Sequence, residues 1–137
     1  MLLVGWYWSA EPDAFDVVEA AIEHAPATES RLTTGSYTTS VTITLMETLL
    51  NKRGGYLSND IMPPSIWLDN IPNWEFGVLV QVRDMSRAMR SDLSRSQSQS
   101  TEDEDLIISE PKFHFDNQSW FLPATENVYQ EGIDALY

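Results

Sequence analysis

Over most of its length the chain repeats its large apolar residues every three or four positions, the period of a helix buried on one side. From Glu11 to Ala25, Phe15, Val18, Ile22 and Ala25 keep that spacing, Pro12 suits a first turn, and Asp13, Asp16 and Glu19 lie where the helix dipole favours acids. Pro26 marks the end, and the Thr- and Ser-rich stretch to Ser36 reads as a loop with Gly35-Ser36 as a turn or cap. Tyr37 to Arg53 begins ambiguously: Val41, Ile43 and Leu45 alternate with threonines as in a strand, yet Tyr37, Val41, Leu45 and Leu49 recur every fourth residue. The helix-favouring Leu45-Met-Glu-Thr-Leu-Leu50, closed by Lys52, Arg53 and Gly54, decides for a helix. Asn73 is placed to cap a long third helix with Val78, Val82, Met85, Met89 and Leu93 along one stripe. Gly77 inside it costs about 1 kcal/mol relative to Ala, which points to close backbone packing or to a start one turn later.

Ser94 to Ser100 has no apolar side chain and reads either as an exposed continuation of that helix or as a flexible interruption. Thr101-Glu-Asp-Glu104 fits a capping box, with Leu106-Ile-Ile108 as the buried part of the helix it opens. Pro111 to Ser119 reads as extended or irregular, with Phe113 and Phe115 on one side and His114 on the other. A last helix follows Pro123 and carries Tyr129, Ile133 and Leu136 on one face.

Between the second and third helices the period disappears while the apolar content rises. Gly54 to Phe76 is punctuated by Gly, Pro and Asn like a connection, yet it holds Tyr56, Leu57, Trp67, Leu68, Trp74, three isoleucines and a methionine. Each large apolar side chain favours full burial by about 1.5–3 kcal/mol, so the segment is expected to lie ordered against the domain or a partner. The resulting fold class is all-α, mainly α: three to five helices around Phe15, Ile22, Leu45, Leu49, Val78, Val82 and Met85, with a long ordered apolar loop over them.

Composition narrows the partners. With 21 acidic against 8 basic side chains and a net charge of −13, the chain is unsuited to duplex nucleic acid or to an anionic membrane surface. It has no cysteine, hence no disulfide framework, thiolate nucleophile or Cys-based metal site. Residues 1–10 form an aromatic N-terminal segment, and residues 11–137 a single helical domain. Met1 to Trp8 is too short for the roughly 20 apolar residues of a bilayer span. Trp6, Tyr7 and Trp8 read equally as an aromatic belt ending a membrane helix or as side chains tucked into the core.

Few constellations carry chemistry. Arg83, Arg87 and Arg90 share one face of the third helix, with Arg95 beyond, and would suit an anion; the ordinary reading is a solvated face paired with Asp84, Asp92 and the acidic first helix. Glu102 to Asp105 lacks the ligand spacing of a calcium loop and reads as an acidic first turn. His24 and His114 lack metal-ligand spacing, so no metal or cofactor is assigned. Neither a Gly-x-Ser-x-Gly elbow nor a phosphate-binding glycine loop occurs. Asn59-Asp60 and Asp69-Asn70 could point into a pocket at the loop, although turn and cap roles are the usual use of such residues.

Several strings resemble one family: Gly5-Trp-Tyr-Trp-Ser9, Phe15-Asp-Val17, Leu49-Leu-Asn-Lys-Arg-Gly-Gly-Tyr-Leu-Ser-Asn-Asp60, Trp67-Leu-Asp-Asn70, Asn73-Trp-Glu-Phe-Gly-Val-Leu-Val-Gln-Val-Arg-Asp84, Ser94-Arg-Ser-Gln-Ser-Gln-Ser100 and Glu110-Pro-Lys-Phe113. They are similar to segments of the uncharacterised proteobacterial envelope proteins grouped as domain of unknown function 2333. The resemblance spans nearly the whole chain. It implies a soluble domain behind one N-terminal membrane helix at the periplasmic face of the inner membrane; no activity is assigned and no functional residue carries over. The chain departs from that pattern by lacking the full span and by a shorter C-terminus, which leaves apolar surface for a partner or for self-association.

The sequence therefore favours a non-enzymatic interaction or structural module of the bacterial envelope. It is expected to be soluble as this chain, to meet a protein or a second copy, and to reach a membrane only through an N-terminal anchor outside this chain. Tyr56, Asn59, Asp60, Trp67, Asp69, Asn70, Trp74 and Glu75 are the candidate ligand- or partner-binding residues, with Arg83, Arg87 and Arg90 as a candidate anion site. The alternative is a carboxylate-based hydrolase or small-molecule binder with a pocket at the 54–76 loop, lined by Asp60, Asp69, Asn70 and Glu75. An acidic mimic of nucleic acid is a third reading, from net charge alone.

Overall fold

The computed structural model describes residues 2–24, 35–96 and 103–137. Among them are six α-helices and no strand: α1 (Leu2–Trp8), α2 (Val17–Glu23), α3 (Ser36–Asn51), α4 (Asn70–Ser96), α5 (Glu104–Phe113) and α6 (Thr125–Asp134). One 3₁₀ turn, Ser65–Trp67, lies in the connection between α3 and α4. The protein is mainly helical as expected, with one helix more than the sequence indicated, because the aromatic N-terminus is itself wound into α1. The expected roles of Ala25, Pro26, Thr101 and residues 97–100 lie outside the described residues.

The core forms where α3, α4, α5 and α6 meet, around Ile43, Met46, Leu49, Tyr56, Leu79, Val82, Phe113, Tyr129 and Ile133. The strand-like threonines of α3 are accommodated by turning their hydroxyls back on their own helix: Thr42 Oγ1 donates to the Thr38 carbonyl at 2.9 Å and Thr48 Oγ1 to that of Thr44 at 2.7 Å. The inner face runs Ser40, Ile43, Met46, Leu49. That is rotated from the Tyr37–Val41–Leu45 stripe, and Tyr37 lies exposed.

α2 corrects both the boundary and the face. It starts at Asp16, whose carboxylate accepts the Val18 and Glu19 amides at 2.9 and 3.0 Å, so the segment from Glu11 is not helical. The small residues Ala20 and Ala21 press against α3, while Ile22 is exposed and Phe15 only half-buried.

On α4 the buried face is Ile71, Glu75, Leu79, Val82 and Ser86. Two of those positions are polar, which is why an apolar stripe misplaced the face by a residue and assigned Met85, 42% exposed, to the core. Ser86 fits there by donating its hydroxyl to the Arg83 carbonyl at 3.1 Å. The helix begins at Asn70, one turn before Asn73. Gly77 is exposed, and a Cβ there would meet nothing within 4 Å, so neither close packing nor a late start explains it. Gly77→Ala is accordingly expected to raise stability by up to about 1 kcal/mol, read as a higher urea midpoint at constant m-value.

α5 starts at Asp103, which accepts the Asp105 and Leu106 amides. It continues through Pro111 to Phe113 where an irregular stretch was expected. Arg83 rescues that end by donating Nε to the Phe113 carbonyl at 2.7 Å and Nη2 to that of Phe115 at 2.8 Å. Leu106 is buried, but Ile107 and Ile108 are exposed.

Candidate functional site

The Glu75 carboxylate is the polar centre of the molecule. It projects from the second turn of α4 and is completely buried. Oε1 accepts from the Lys52 ammonium and from the Leu57 amide at 2.8 Å; Oε2 accepts from the Ser58 amide at 2.7 Å and from the Ser58 hydroxyl. Two oxygens offer about four lone-pair sites, and here every one is occupied. Lys52 also donates to the Gly55 carbonyl, so the sequence Lys-Arg-Gly-Gly-Tyr-Leu-Ser wraps around the carboxylate as a closed turn. Burial pushes the Lys52 pKa down, opposed by the hydrogen bond and charge of Glu75. Gly54 makes the wrap feasible: its φ is +86°, and a Cβ would fall 2.8 Å from Trp8 Cγ.

This turn fastens a second loop. Tyr56 Oη donates to the Asn117 carbonyl at 2.9 Å, while Asn59 Nδ2 donates to the Ser119 carbonyl at 3.0 Å and to Glu126 Oε2 at 2.8 Å. Burial raises the phenols of Tyr56 and Tyr129, the latter to about 12, and the two rings meet edge to face at 5.9 Å. The loop itself is tied across: Thr125 N donates to the Ser119 carbonyl at 3.0 Å, Thr125 Oγ1 lies 2.8 Å from the Asp116 carbonyl, and Ser119 Oγ donates to the Pro123 carbonyl at 2.8 Å. At its tip Trp120, Phe121 and Leu122 are 53%, 71% and 79% exposed.

Three of the candidate residues thus converge, Tyr56 and Asn59 within the clamp and Glu75 at its centre. Asn70 instead holds the N-terminus, donating Nδ2 to the Ser9 carbonyl at 2.9 Å. Trp74 packs against the core, Asp69 and Trp67 face outward, and Asp60 lies half-buried in the turn closed by its own amide on the Leu57 carbonyl. A concavity of about 450 Å³ lies elsewhere, between residues 10–13 and the end of α3, with Glu11, Asp13, Glu47, Asn51 and Arg53 in its wall.

The arginines of α4 are engaged with α5. Arg83 caps its end as described, Arg87 meets His114 Nε2 at 2.8 Å, and Arg90 donates to Glu110 at 2.6 Å, which holds the Glu110 carboxyl below its usual range. Among the described residues no group of three His, Cys, Asp or Glu is placed to hold a metal.

The mid-chain connection is only partly covered. Tyr56, Leu57 and Asn59 are buried, but Ile61, Met62, Ile66 and Trp67 are not. It is pinned at its start both by the Glu75 carboxylate and by Tyr56 in the core, and farther along α1 packs on its 3₁₀ turn. Sequence reasoning missed Lys52, Ser58 and the Trp120–Leu122 tip. The first two are signalled only by Glu75 falling on the core face of α4. The tip could have been noticed as three consecutive large apolar residues before a proline, between the stretch ending at Ser119 and the helix after Pro123.

A family model described as an uncharacterized protein conserved in bacteria, DUF2333, matches residues 1–137. No curated protein and no solved structure matches the chain.

Proposed function

The chain belongs to the bacterial family DUF2333, and from that premise we propose that it is a non-enzymatic interaction module of the bacterial envelope, seated at the periplasmic face of the inner membrane and engaging a protein partner or a second copy through its Trp120–Leu122 loop. The carrying observation is how that tip is built. Leu122 holds a φ of +45°, a backbone state that costs a non-glycine residue roughly 1–3 kcal/mol. Hydrogen bonds from Tyr56, Asn59 and Thr125 hold the loop in this shape, so three large apolar side chains are presented on a rigid frame. Preorganised aromatic anchors of this kind carry most of the affinity in protein interfaces. The saturation of Glu75 supports the same reading, since a carboxylate with no vacant lone pair cannot accept a substrate proton.

Sedimentation velocity on the intact chain tests this. Self-association, or retention of a discrete envelope protein, is expected for the native chain and should weaken at least about tenfold in Trp120→Ser/Phe121→Ser/Leu122→Ser, as loss of interface anchors does. A strict monomer at all concentrations that also retains no partner would count against the proposal.

A further inference from the structure

Residues 52–59 form a strap that touches three parts of the molecule in turn. Near its start Arg53 lies 5.4 Å from the centre of the Tyr7 ring of α1, and the Trp8 ring rests on Gly54 so closely that a Cβ there would fall 2.8 Å from its Cγ. Lys52, Leu57 and Ser58 surround the Glu75 carboxylate of α4. Interleaved with these, Tyr56 and Asn59 donate to the Asn117 and Ser119 carbonyls in the connection between α5 and α6. The strap thus joins α1 to the loop that carries the Trp120–Leu122 tip.

The two ends of this run are not equally firm. α1 has no fully buried residue, and what fastens it besides the strap is the Asn70 amide on the Ser9 carbonyl and the contact of Gly5 with Pro64. An element with so little buried surface opens at a much smaller free energy than the core. The link beside it is soft as well. Gly54 and Gly55 hold φ values of +86° and +72°, and successive glycines have many other backbone states open to them. The Trp8 ring restricts that choice. Without it the Gly55 carbonyl, one of the two acceptors that the buried Lys52 ammonium reaches, is free to turn away. Lys52 shares the Glu75 carboxylate with the amides of Leu57 and Ser58, which are the immediate neighbours of Tyr56 and Asn59.

We infer that α1 and the α5–α6 loop are energetically coupled: docking of Trp8 on Gly54 fixes the strap, and the strap fixes the loop that presents the tip. Whatever draws α1 off Gly54 loosens the tip, and a partner that grips the tip strengthens the hold on α1, because coupling between two sites is reciprocal. The use of this device as a regulator rests on the loop tip being the interaction surface. The coupling itself does not, and it is measured without a partner.

A contiguous run of contacts becomes coupling only through a measured interaction, and native-state hydrogen exchange on the intact chain supplies one. The reporters are the Leu57 and Ser58 amides on Glu75 and the Thr125 amide on the Ser119 carbonyl. Trp8→Ala is expected to speed exchange at all three by at least about fivefold, the lower end of usual coupling, while amides inside α3 and α6 keep their native rates. Leu3→Ser alters a side chain of the same helix that is 81% exposed and should leave the reporters unchanged. Tyr56→Phe removes the hydroxyl bond to Asn117, and in that background Trp8→Ala should speed Thr125 by a smaller factor, since members of one network do not add. Acceleration at Leu57 and Ser58 with Thr125 unchanged would mean that the clamp insulates the loop from α1, and would overturn the inference even if the tip binds a partner. So would unchanged rates at all three reporters, an undiminished response in the Tyr56→Phe background, or one common factor across α3 and α6 as well, which marks general destabilisation.

Discussion

Glu75→Gln is expected to lower the free energy of unfolding by about 3–5 kcal/mol, the usual result of removing one partner from a buried ion pair. The amide is nearly isosteric, so the loss comes from charge and hydrogen bonding. Lys52 would keep a buried ammonium with only the Gly55 carbonyl as partner, and an amide NH₂ would face groups that can only donate, the Leu57 or Ser58 amides. Lys52→Met should cost less, because the carboxylate retains its three donors from Leu57 and Ser58. The pair Lys52→Met/Glu75→Leu should not regain native stability, since two buried backbone amides stay without an acceptor at about 1–3 kcal/mol each. Urea unfolding gives the three values. Hydrogen exchange should show the second effect, loosened protection from Asn117 to Thr125 as Tyr56 and Asn59 lose their fixed positions. If Glu75→Gln stayed within about 0.5 kcal/mol of the native chain, like an ordinary surface change, the carboxylate would not be what organises the loop.

The same residue explains what could and could not be read from sequence. Helix period and the Gly54 turn were legible because they are local: α3, α4 and α6 lie close to where the pattern put them, and Leu49, Val82, Tyr129 and Ile133 are in the core as expected. Hydrophobic counting failed where the interior is polar or small. Glu75 and Ser86 displace Met85 outward on α4, and Ala20 and Ala21 displace Ile22 on α2, because satisfied polar groups and methyl side chains pack more closely than a large stripe allows. The pattern from Pro111 to Ser119 reads as extended or irregular, yet α5 runs on to Phe113, and the arginine that stabilises that helix end lies some thirty positions earlier in the chain, a pairing that no local window contains. Of the candidate site, Tyr56, Asn59 and Glu75 were identified as residues, but their convergence was not, since it depends on the long-range contacts to Asn117 and Ser119.

Phe113→Ala is expected to cost about 3–5 kcal/mol, as deletion of a fully buried aromatic ring does, and its coupling to Gly132 makes the prediction specific. Phe113 is 0% exposed at the end of α5, and a Cβ on Gly132 of α6 would lie 2.6 Å from its Cε1 and 3.0 Å from Lys112 Cβ. The glycine is therefore what lets α5 and α6 approach. Gly132→Ala in the native background should destabilise by about 1–3 kcal/mol through overpacking, net of a helix-propensity gain near 1 kcal/mol. With the ring removed, the added methyl enters vacated space and the propensity gain remains. Gly132→Ala should then be neutral or stabilising in the Phe113→Ala background, so that the double variant is more stable than the sum of the singles predicts by at least about 1 kcal/mol. Because Lys112 Cβ also approaches, some of the clash persists, and Lys112→Gly should leave the coupling between Phe113 and Gly132 intact. Strict additivity in a denaturant-unfolding cycle would mean that the ring is not what the glycine makes room for, and the close packing of α5 on α6 would need another cause.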